Sequence, residues 1–195
     1  HVKPYAEEIN NGSLYFLDIG CGSGANTIYF AGFGYNVFGI DCSDTAISKT
    51  LNRIRTLEPS KGLCDVKAEV GNFLQMQFND IYFDAILSDG VFYYGNEVSF
   101  KAAVMESFRV LKKNGILRVY TKSARDFMAI RKNEVSNHTY EVKIGYEKRM
   151  TVYCPPKGSI QNIFNQFSDV TIGIEEFNYI DTSNIKSYWV ITAIK

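Results

Sequence analysis

The sequence contains no apolar run long enough to span a membrane and no polar low-complexity tract. Lysines plus arginines number 21, as do aspartates plus glutamates, so the formal net charge is zero. A balanced charge gives no electrostatic reason to expect nucleic acid or a membrane surface as a partner. We therefore expect a soluble globular protein that binds neither.

Cysteine and histidine are scarce and scattered. The four cysteines, at Cys21, Cys42, Cys64 and Cys154, show no Cys-x-x-Cys spacing, and His138 is the only internal histidine. This pattern indicates neither a zinc site nor a disulfide framework. We therefore expect reduced thiols in a cytoplasmic protein that holds no metal.

The chain shows neither an internal repeat nor an obvious linker. Its 195 residues, of which 46% are hydrophobic, suit one domain with a sizeable buried core. We accordingly expect one domain over residues 1–195.

Strand and helix patterns alternate through most of the chain. Ser43 is a good N-cap for the second helix, and Asn114 with Gly115 favours a left-handed end for the helix predicted over 97–113. Such alternation predicts a doubly wound, mostly parallel α/β sheet with ligands at the carboxyl ends of the strands. The predicted strands are 14–19, 35–40, 65–70, 83–88 and 116–121, and a further predicted helix covers 26–33.

The end of the chain departs from this alternation. The β-rich runs 169–179 and 186–194 are too close for a crossover helix, so they predict an antiparallel hairpin and seven strands in all. The polar stretch 122–159 carries two short alternating runs, 138–144 and 149–154. A stretch of this length predicts either a cover over a substrate site or plain decoration.

Residues 17–25 read Leu-Asp-Ile-Gly-Cys-Gly-Ser-Gly-Ala, a strand that runs into a glycine-dense turn before a helix. Glycines allow positive φ and let a ligand reach main-chain N–H groups, and a helix N-terminus adds partial positive charge. We expect a nucleoside or an anionic group here. Gly20, Gly22 and Ala25 fit the dinucleotide pattern and Asp41 follows about twenty residues later, so a small NAD-dependent oxidoreductase is one alternative.

Asp18 before the first glycine, followed by Gly20, Gly22 and Gly24, resembles the first motif of class I S-adenosylmethionine-dependent methyltransferases. The resemblance covers nearly the whole chain and implies a Rossmann-like fold, S-adenosyl-L-methionine as cofactor and methyl transfer to an acceptor. Asp18 and the C-terminal hairpin both disfavour the NAD alternative. A non-catalytic nucleotide-binding scaffold is the other alternative.

Later segments are similar to further motifs of this family. Asp41 matches the acid that binds both ribose hydroxyls, whereas Asn72 stands where the family often has an aspartate near the adenine. No Asn-Pro-Pro-Tyr motif follows the fourth strand, which disfavours nucleobase and glutamine acceptors without excluding them. We expect a small-molecule acceptor, because the sequence offers a catalytic core and no appended domain for a macromolecule. The resemblance implies these cofactor contacts: Asp18, Gly20, Gly22, Gly24, Asp41, Cys42, Asn72, Phe73 and Ser88.

Methyl transfer depends chiefly on aligning a nucleophile with the methyl group, and a general base is needed only for some acceptors. The candidates for that base are Asp89, Tyr93 and His138. Each has a structural alternative: a turn-forming acid for Asp89, a core aromatic for Tyr93 and an inert loop residue for His138.

Overall fold

The helices and strands that the sequence predicts occur in the predicted order. The computed structural model describes residues 14–56, 65–130, 133–142, 148–177 and 185–195. Within these residues the strands are β1 (Tyr15–Ile19), β2 (Asn36–Asp41), β3 (Val66–Val70), β4 (Phe83–Asp89), β5 (Leu111–Lys122), β6 (Glu134–Ser136), β7 (Thr139–Glu141), β8 (Thr151–Tyr153), β9 (Asp169–Phe177) and β10 (Lys186–Ile194). The helices are α1 (Ala25–Ala31), α2 (Asp44–Arg55), α3 (Glu97–Val110), α4 (Phe127–Ile130) and α5 (Lys157–Ile163).

Seven strands form one mixed sheet in the order β3-β2-β1-β4-β5-β10-β9, and β6-β7-β8 form a second sheet. β2 pairs parallel with both β1 and β3. β10 pairs antiparallel with both β5 and β9, opposing Lys186 to Phe177 at one end and Ile194 to Asp169 at the other. The predicted seven-stranded α/β fold with a C-terminal antiparallel pair is therefore confirmed. The residues that join β9 to β10, 178–184, lie outside the described part.

The chain divides into two compact units. Unit 1 comprises residues 1–87 and 110–115, and unit 2 comprises 88–109 and 116–195. In unit 1, the ring of Phe38 makes edge-on contacts with the rings of Phe78, Tyr82 and Phe83 at centroid distances of 5.7 to 5.9 Å. Unit 2 has its own aromatic core, in which Phe100 contacts the aromatic side chains Phe92, Tyr153 and Phe164.

The start of α2 confirms the predicted cap, since the Ser43 hydroxyl accepts a hydrogen bond from the Ala46 N–H at 3.3 Å. Such a cap satisfies one of the backbone donors that a helix leaves free in its first turn. The helix buries Ile47 and Thr50. It begins three residues after Asp41, the last residue of β2, and therefore fixes the chain direction near the carboxyl end of that strand.

The third helix ends earlier than predicted. We expected it to reach residue 113, but α3 ends at Val110 and β5 begins at Leu111. The Val110 carbonyl accepts a hydrogen bond from the Tyr82 N–H at 2.7 Å. This bond holds Val110 beside the residue that directly precedes β4. Asn114 does adopt a left-handed conformation, with φ of +63°, but within β5. A Cβ on Gly115 would lie 2.8 Å from the Leu111 side chain, so this bend needs glycine.

The stretch predicted as a cover or decoration, 122–159, is structured where it is described. Its two alternating runs correspond to β7 and β8, whereas β6, α4 and the start of α5 were not predicted. The Gly95 N–H donates to the Thr151 carbonyl at 2.9 Å, and Tyr94 forms a β-bridge with Val152. The small sheet therefore pairs with the segment that follows β4. Among the described residues, no helix is both long and apolar enough to cross a membrane.

Candidate functional site

The glycine loop of unit 1 is fastened to the end of β2. The N–H groups of Gly20 and Cys21 both donate to the Ile40 carbonyl, at 2.7 and 3.0 Å. Gly20, Gly22 and Gly24 have φ values of +69°, +56° and +83°. This conformation strains any residue with a side chain, so the glycines of the motif stand where the backbone requires them.

Asp41 connects this loop to α2. One carboxylate oxygen accepts the Gly22 N–H at 3.0 Å, and the other accepts the Ser43 N–H at 2.9 Å. Both are charge-assisted hydrogen bonds, the stronger kind. The carboxylate is thereby held in one orientation at the carboxyl end of β2.

Two threonines stabilise the loop through side-chain hydrogen bonds. The Thr27 hydroxyl donates to the Asp18 carboxylate at 2.7 Å, and both residues are almost fully buried. The Thr50 hydroxyl donates to the Gly22 carbonyl at 2.9 Å. Neither threonine was predicted as part of the site. Thr50 lies beside Ile47 on the buried face of α2, and a threonine at such a position is the signal that points to it.

The two cysteines of the loop region differ in exposure. Cys21 is buried, and desolvation, reinforced by the negative charge of Asp18, raises the pKa of its thiol to about 12. It is therefore protonated at neutral pH, so Cys21 is suited neither to nucleophilic attack nor to metal binding. Cys42 is exposed and directly follows Asp41.

Asn72 and Phe73 follow the end of β3. The Gly71 N–H donates to the Asp41 carbonyl at 2.9 Å, which places this turn beside the end of β2. The Asn72 side-chain oxygen accepts the Leu74 N–H at 2.9 Å, so the amide stabilises its own turn. Asn72 is exposed and Phe73 half-buried. Unit 1 thus brings eight of the nine predicted cofactor residues to the ends of three adjacent strands.

The ninth predicted cofactor residue, Ser88, belongs to unit 2 with Asp89, at the end of β4. Ser88 is completely buried, and Asp89 is exposed. The negative charge of Asp89 contributes to a strong rise in the pKa of Tyr120, which is caused mainly by burial and by the hydrogen bond from Tyr120 to Glu175. Asp89 is therefore close enough to act electrostatically on that phenol.

Tyr93 and His138 both contact the end of β8. The Tyr153 N–H donates to the Tyr93 carbonyl at 2.7 Å, and the next N–H, of Cys154, donates to the His138 carbonyl at 2.8 Å. The two predicted catalytic residues are thus held by consecutive residues of one strand end. His138 occupies a turn with φ of +52°. Tyr93 is 7% exposed and packs with Tyr140 and other buried side chains of the small sheet.

Unit 2 contains a buried ion pair whose cation lies near the ring of Tyr93. Lys122 and Asp126 have side chains only 4% and 0% exposed, with 3.7 Å between Nζ and Oδ2. The Lys122 ammonium also lies 5.0 Å from the ring centroids of both Tyr93 and Tyr188. Sequence analysis missed this pair, because a Lys and an Asp four residues apart are usually solvated.

Comparison with known proteins gives one family. The family model described as "Methyltransferase domain" matches residues 10–173. A sterol 24-C-methyltransferase from Eremothecium gossypii is 34% identical over 122 residues, which cover 62% of this chain and 31% of that protein. The chain therefore spans about a third of the length of this curated relative.

Solved structures share the fold at low sequence identity. A SAM-dependent methyltransferase from Methanosarcina mazei matches with a TM-score of 0.77 and 20% identity, covering 98% of this chain and 97% of that one. The magnesium protoporphyrin IX methyltransferase from Synechocystis, solved with bound S-adenosylhomocysteine (SAH), matches with a TM-score of 0.67 and 13% identity. The match covers 93% of this chain and 74% of that one. These matches extend over nearly the whole chain.

Proposed function

We propose that this chain, which belongs to the methyltransferase domain family, transfers a methyl group from S-adenosyl-L-methionine to a small-molecule acceptor. The cofactor supplies a methyl group made electrophilic by a positively charged sulfur. The protein then has to bind it, to orient the acceptor in line with the methyl–sulfur bond and to exclude water. Because the chain belongs to this family, we assign the site residues of unit 1 to S-adenosyl-L-methionine rather than to a dinucleotide.

The observation that carries the proposal is the orientation of Asp41. Its carboxylate accepts two backbone hydrogen bonds in the described part of the chain, one on each oxygen. A carboxylate has about four acceptor positions, so it retains the capacity to accept both hydroxyls of a ribose. Because the Gly22 and Ser43 N–H groups hold the carboxylate in place, little further ordering is needed when a ribose binds.

The glycine loop also fits this cofactor. A Cβ on Gly22 would meet no heavy atom closer than 4.0 Å, so the backbone is open to a ligand at this position. The buried hydrogen bond from the Thr27 hydroxyl to the Asp18 carboxylate joins the helix after the loop to the strand before it and so stabilises the loop. We assign Gly20, Gly22 and Gly24 to the methionine part of the cofactor and Asn72 with Phe73 to the adenine, following the family motif. Cys42 lies next to the ribose-binding acid.

For the acceptor side we keep the catalytic candidates Asp89, Tyr93 and His138. Of these three residues, Asp89 is the one with a carboxylate, and it is exposed. It is therefore our first choice for accepting a proton from a hydroxyl or an amine. Tyr93 is held by backbone pairing with β8 and offers a phenol at a fixed place. An acceptor that is already an anion needs none of them, because the electrophilic methyl group reacts with it directly.

Calorimetric titration with S-adenosylmethionine, S-adenosylhomocysteine (SAH) and NAD tests the cofactor assignment. We expect Asp41→Ala to weaken SAH binding by roughly tenfold to a hundredfold, because charge-assisted hydrogen bonds contribute about 1.5–3 kcal/mol. Asp44→Ala is the matched control, since Asp44 is exposed, lies three residues further on and should leave the affinity unchanged. Equal affinity in wild type and Asp41→Ala would exclude the ribose role.

The other outcomes distinguish the alternatives. Binding of NAD in place of SAH would indicate an oxidoreductase, and binding of neither would indicate a scaffold. Production of SAH from S-adenosylmethionine across a panel of small hydroxyl, amine, thiol and carboxylate acceptors then tests catalysis. The panel includes a sterol, the acceptor class that the name of the curated relative indicates. Cofactor binding without turnover of any acceptor would contradict the proposed transfer.

A further inference from the structure

The side chain of Asn72 is fixed by its own turn in unit 1. Its oxygen accepts the Leu74 N–H at 2.9 Å, and the Gln75 N–H donates to the Asn72 carbonyl at 3.1 Å. Because a backbone N–H can only donate, the side-chain atom that faces Leu74 is the oxygen. The amide nitrogen, Nδ2, therefore points away from that N–H. It belongs to an exposed residue and has no hydrogen-bond partner among the residues that the structure describes.

This turn lies beside the ribose site that we assign to Asp41. Asp41 and Val70 are register partners at the ends of β2 and β3, and the Gly71 N–H donates to the Asp41 carbonyl at 2.9 Å. In the sheet, β2 lies between β1 and β3. The glycine loop that follows β1 and the turn that follows β3 therefore flank Asp41 from opposite sides, and the loop reaches it through the Gly22 N–H.

A nucleoside whose ribose is bound at Asp41 extends toward both flanks. The base leaves the ribose at C1′ and the methionine part leaves it through C5′, in diverging directions. Since we assign the glycine loop to the methionine part, the base extends toward the turn after β3. Neighbouring strands are about 4.8 Å apart, less than the length of a purine, so the far edge of the base reaches this turn. Asn72 lies there, two residues beyond Val70.

The amide of Asn72 offers the base a hydrogen-bond donor. An aspartate in the same turn would accept the Leu74 N–H with one oxygen and present its other oxygen, an acceptor, to the base. Asn72 presents Nδ2 in that place. Adenine carries an amino group at position 6, which is a donor, whereas hypoxanthine carries a carbonyl oxygen there, which is an acceptor. Asn72 is therefore complementary to the carbonyl oxygen and not to the amino group.

We infer that Asn72 makes the cofactor site permissive at position 6 of the purine, so that the site binds the hypoxanthine form of the cofactor as well as the adenine form. The inference rests on the proposed function and adds the base specificity of the same site. S-adenosyl-L-methionine remains the methyl donor of the proposed reaction. The amino group of its adenine is simply not selected by the residue that faces it.

The test compares SAH with S-inosylhomocysteine, in which a carbonyl oxygen replaces the 6-amino group. Dissociation constants are measured by calorimetric titration at neutral pH. We expect the wild type to bind S-inosylhomocysteine within about tenfold of SAH. Asn72→Asp should raise the ratio of the two constants by about tenfold or more, because the carboxylate gains a charge-assisted hydrogen bond from the amino group and opposes the carbonyl oxygen with a second acceptor.

The ratio isolates position 6, because the two ligands carry the same net charge and an added carboxylate acts equally on both through charge alone. Gln77→Glu is the matched control, since Gln77 is exposed, lies five residues further on and undergoes the same change from amide to carboxylate. It should leave the ratio unchanged. Asn72→Asp keeps an oxygen for the Leu74 N–H, so its thermal unfolding should match that of the wild type.

Binding of SAH separates this inference from the proposed function. If the wild type binds neither ligand, the methyltransferase proposal itself fails. If the wild type binds SAH but prefers it to S-inosylhomocysteine by more than about tenfold, another group selects the amino group and the inference alone is overturned. An unchanged ratio in Asn72→Asp, or an equal rise in Gln77→Glu, would show that Asn72 does not face position 6 and would overturn it as well.

Discussion

Replacing Gly24 by alanine tests whether the loop and α2 support one another. The glycine precedes α1 with φ of +83°, and an ideal Cβ there would lie 2.8 Å from Thr50 Cγ2 and 2.9 Å from Thr50 Oγ1. Two separate penalties therefore apply, one for the left-handed backbone and one for the collision with a buried side chain. Only the second depends on Thr50, so the two can be measured apart.

The expected magnitudes follow from these two penalties. A left-handed alanine costs about 1–2 kcal/mol, and overpacking a buried site costs about 1–3 kcal/mol, so Gly24→Ala should lower the free energy of unfolding by about 2–5 kcal/mol. Thr50→Ala loses a methyl group and the hydrogen bond to the Gly22 carbonyl, about 1–2.5 kcal/mol. In the double variant the collision is largely removed. Its loss should therefore be about 1–3 kcal/mol smaller than the sum of the single losses.

Urea unfolding of the four proteins, followed by far-ultraviolet circular dichroism, measures this double-mutant cycle. SAH affinity of each protein, determined at a temperature where all are folded, shows whether the loop geometry survives. Losses that add within about 0.5 kcal/mol would mean that Thr50 does not contact an alanine at this position. That result would refute the packing of the loop on α2 from which the prediction is derived.

Two further predictions concern buried ionisable groups. Because burial and Asp18 raise the pKa of Cys21 from 9.0 to about 12, above pH 9 the unfolded thiol loses its proton while the folded one keeps it. Stability should then fall with rising pH, by up to about 1.4 kcal/mol per unit from this group, and urea unfolding at pH 8 to 10 should show a smaller decline for Cys21→Ala. Lys122→Met leaves Asp126 buried without its cation and should cost about 3–5 kcal/mol, whereas adding Asp126→Asn should restore much of that loss. Equal stability of the single and double variants in urea would contradict this account of the pair.

The sequence predicts unit 1 well because its determinants are local. Gly20, Gly22 and Gly24 specify left-handed backbone by their identity, and Ser43 specifies the start of α2 by a hydrogen bond three residues along. Asp41 is identifiable because an acid at the end of a strand is placed by that strand alone. The cofactor roles of these residues stay predictions, whereas their positions at adjacent strand ends follow from the fold.

The remaining features depend on partners that are distant in sequence. The end of α3 at Val110 is set by the Tyr82 N–H, which the apolar pattern of the helix does not register. The joint contact of Tyr93 and His138 with the end of β8 depends on pairing between segments of no evident complementarity. The burial of Lys122 likewise arises from tyrosines on other elements. Propensity and spacing contain no information on such contacts, so only the structure reveals them.

The contacts that shape the glycine loop have a consequence for the order of folding during synthesis. They join residues separated by 9, 19 and 28 positions, in the pairs Thr27 with Asp18, Gly22 with Asp41 and Thr50 with Gly22. Such short closures are entropically cheap and fast, whereas the bond from Tyr153 to Tyr93 must close a far longer loop. All partners of the loop have left the ribosome long before Tyr153 is added. A nascent chain is therefore able to form its glycine loop first and to fix the segment after β4 later.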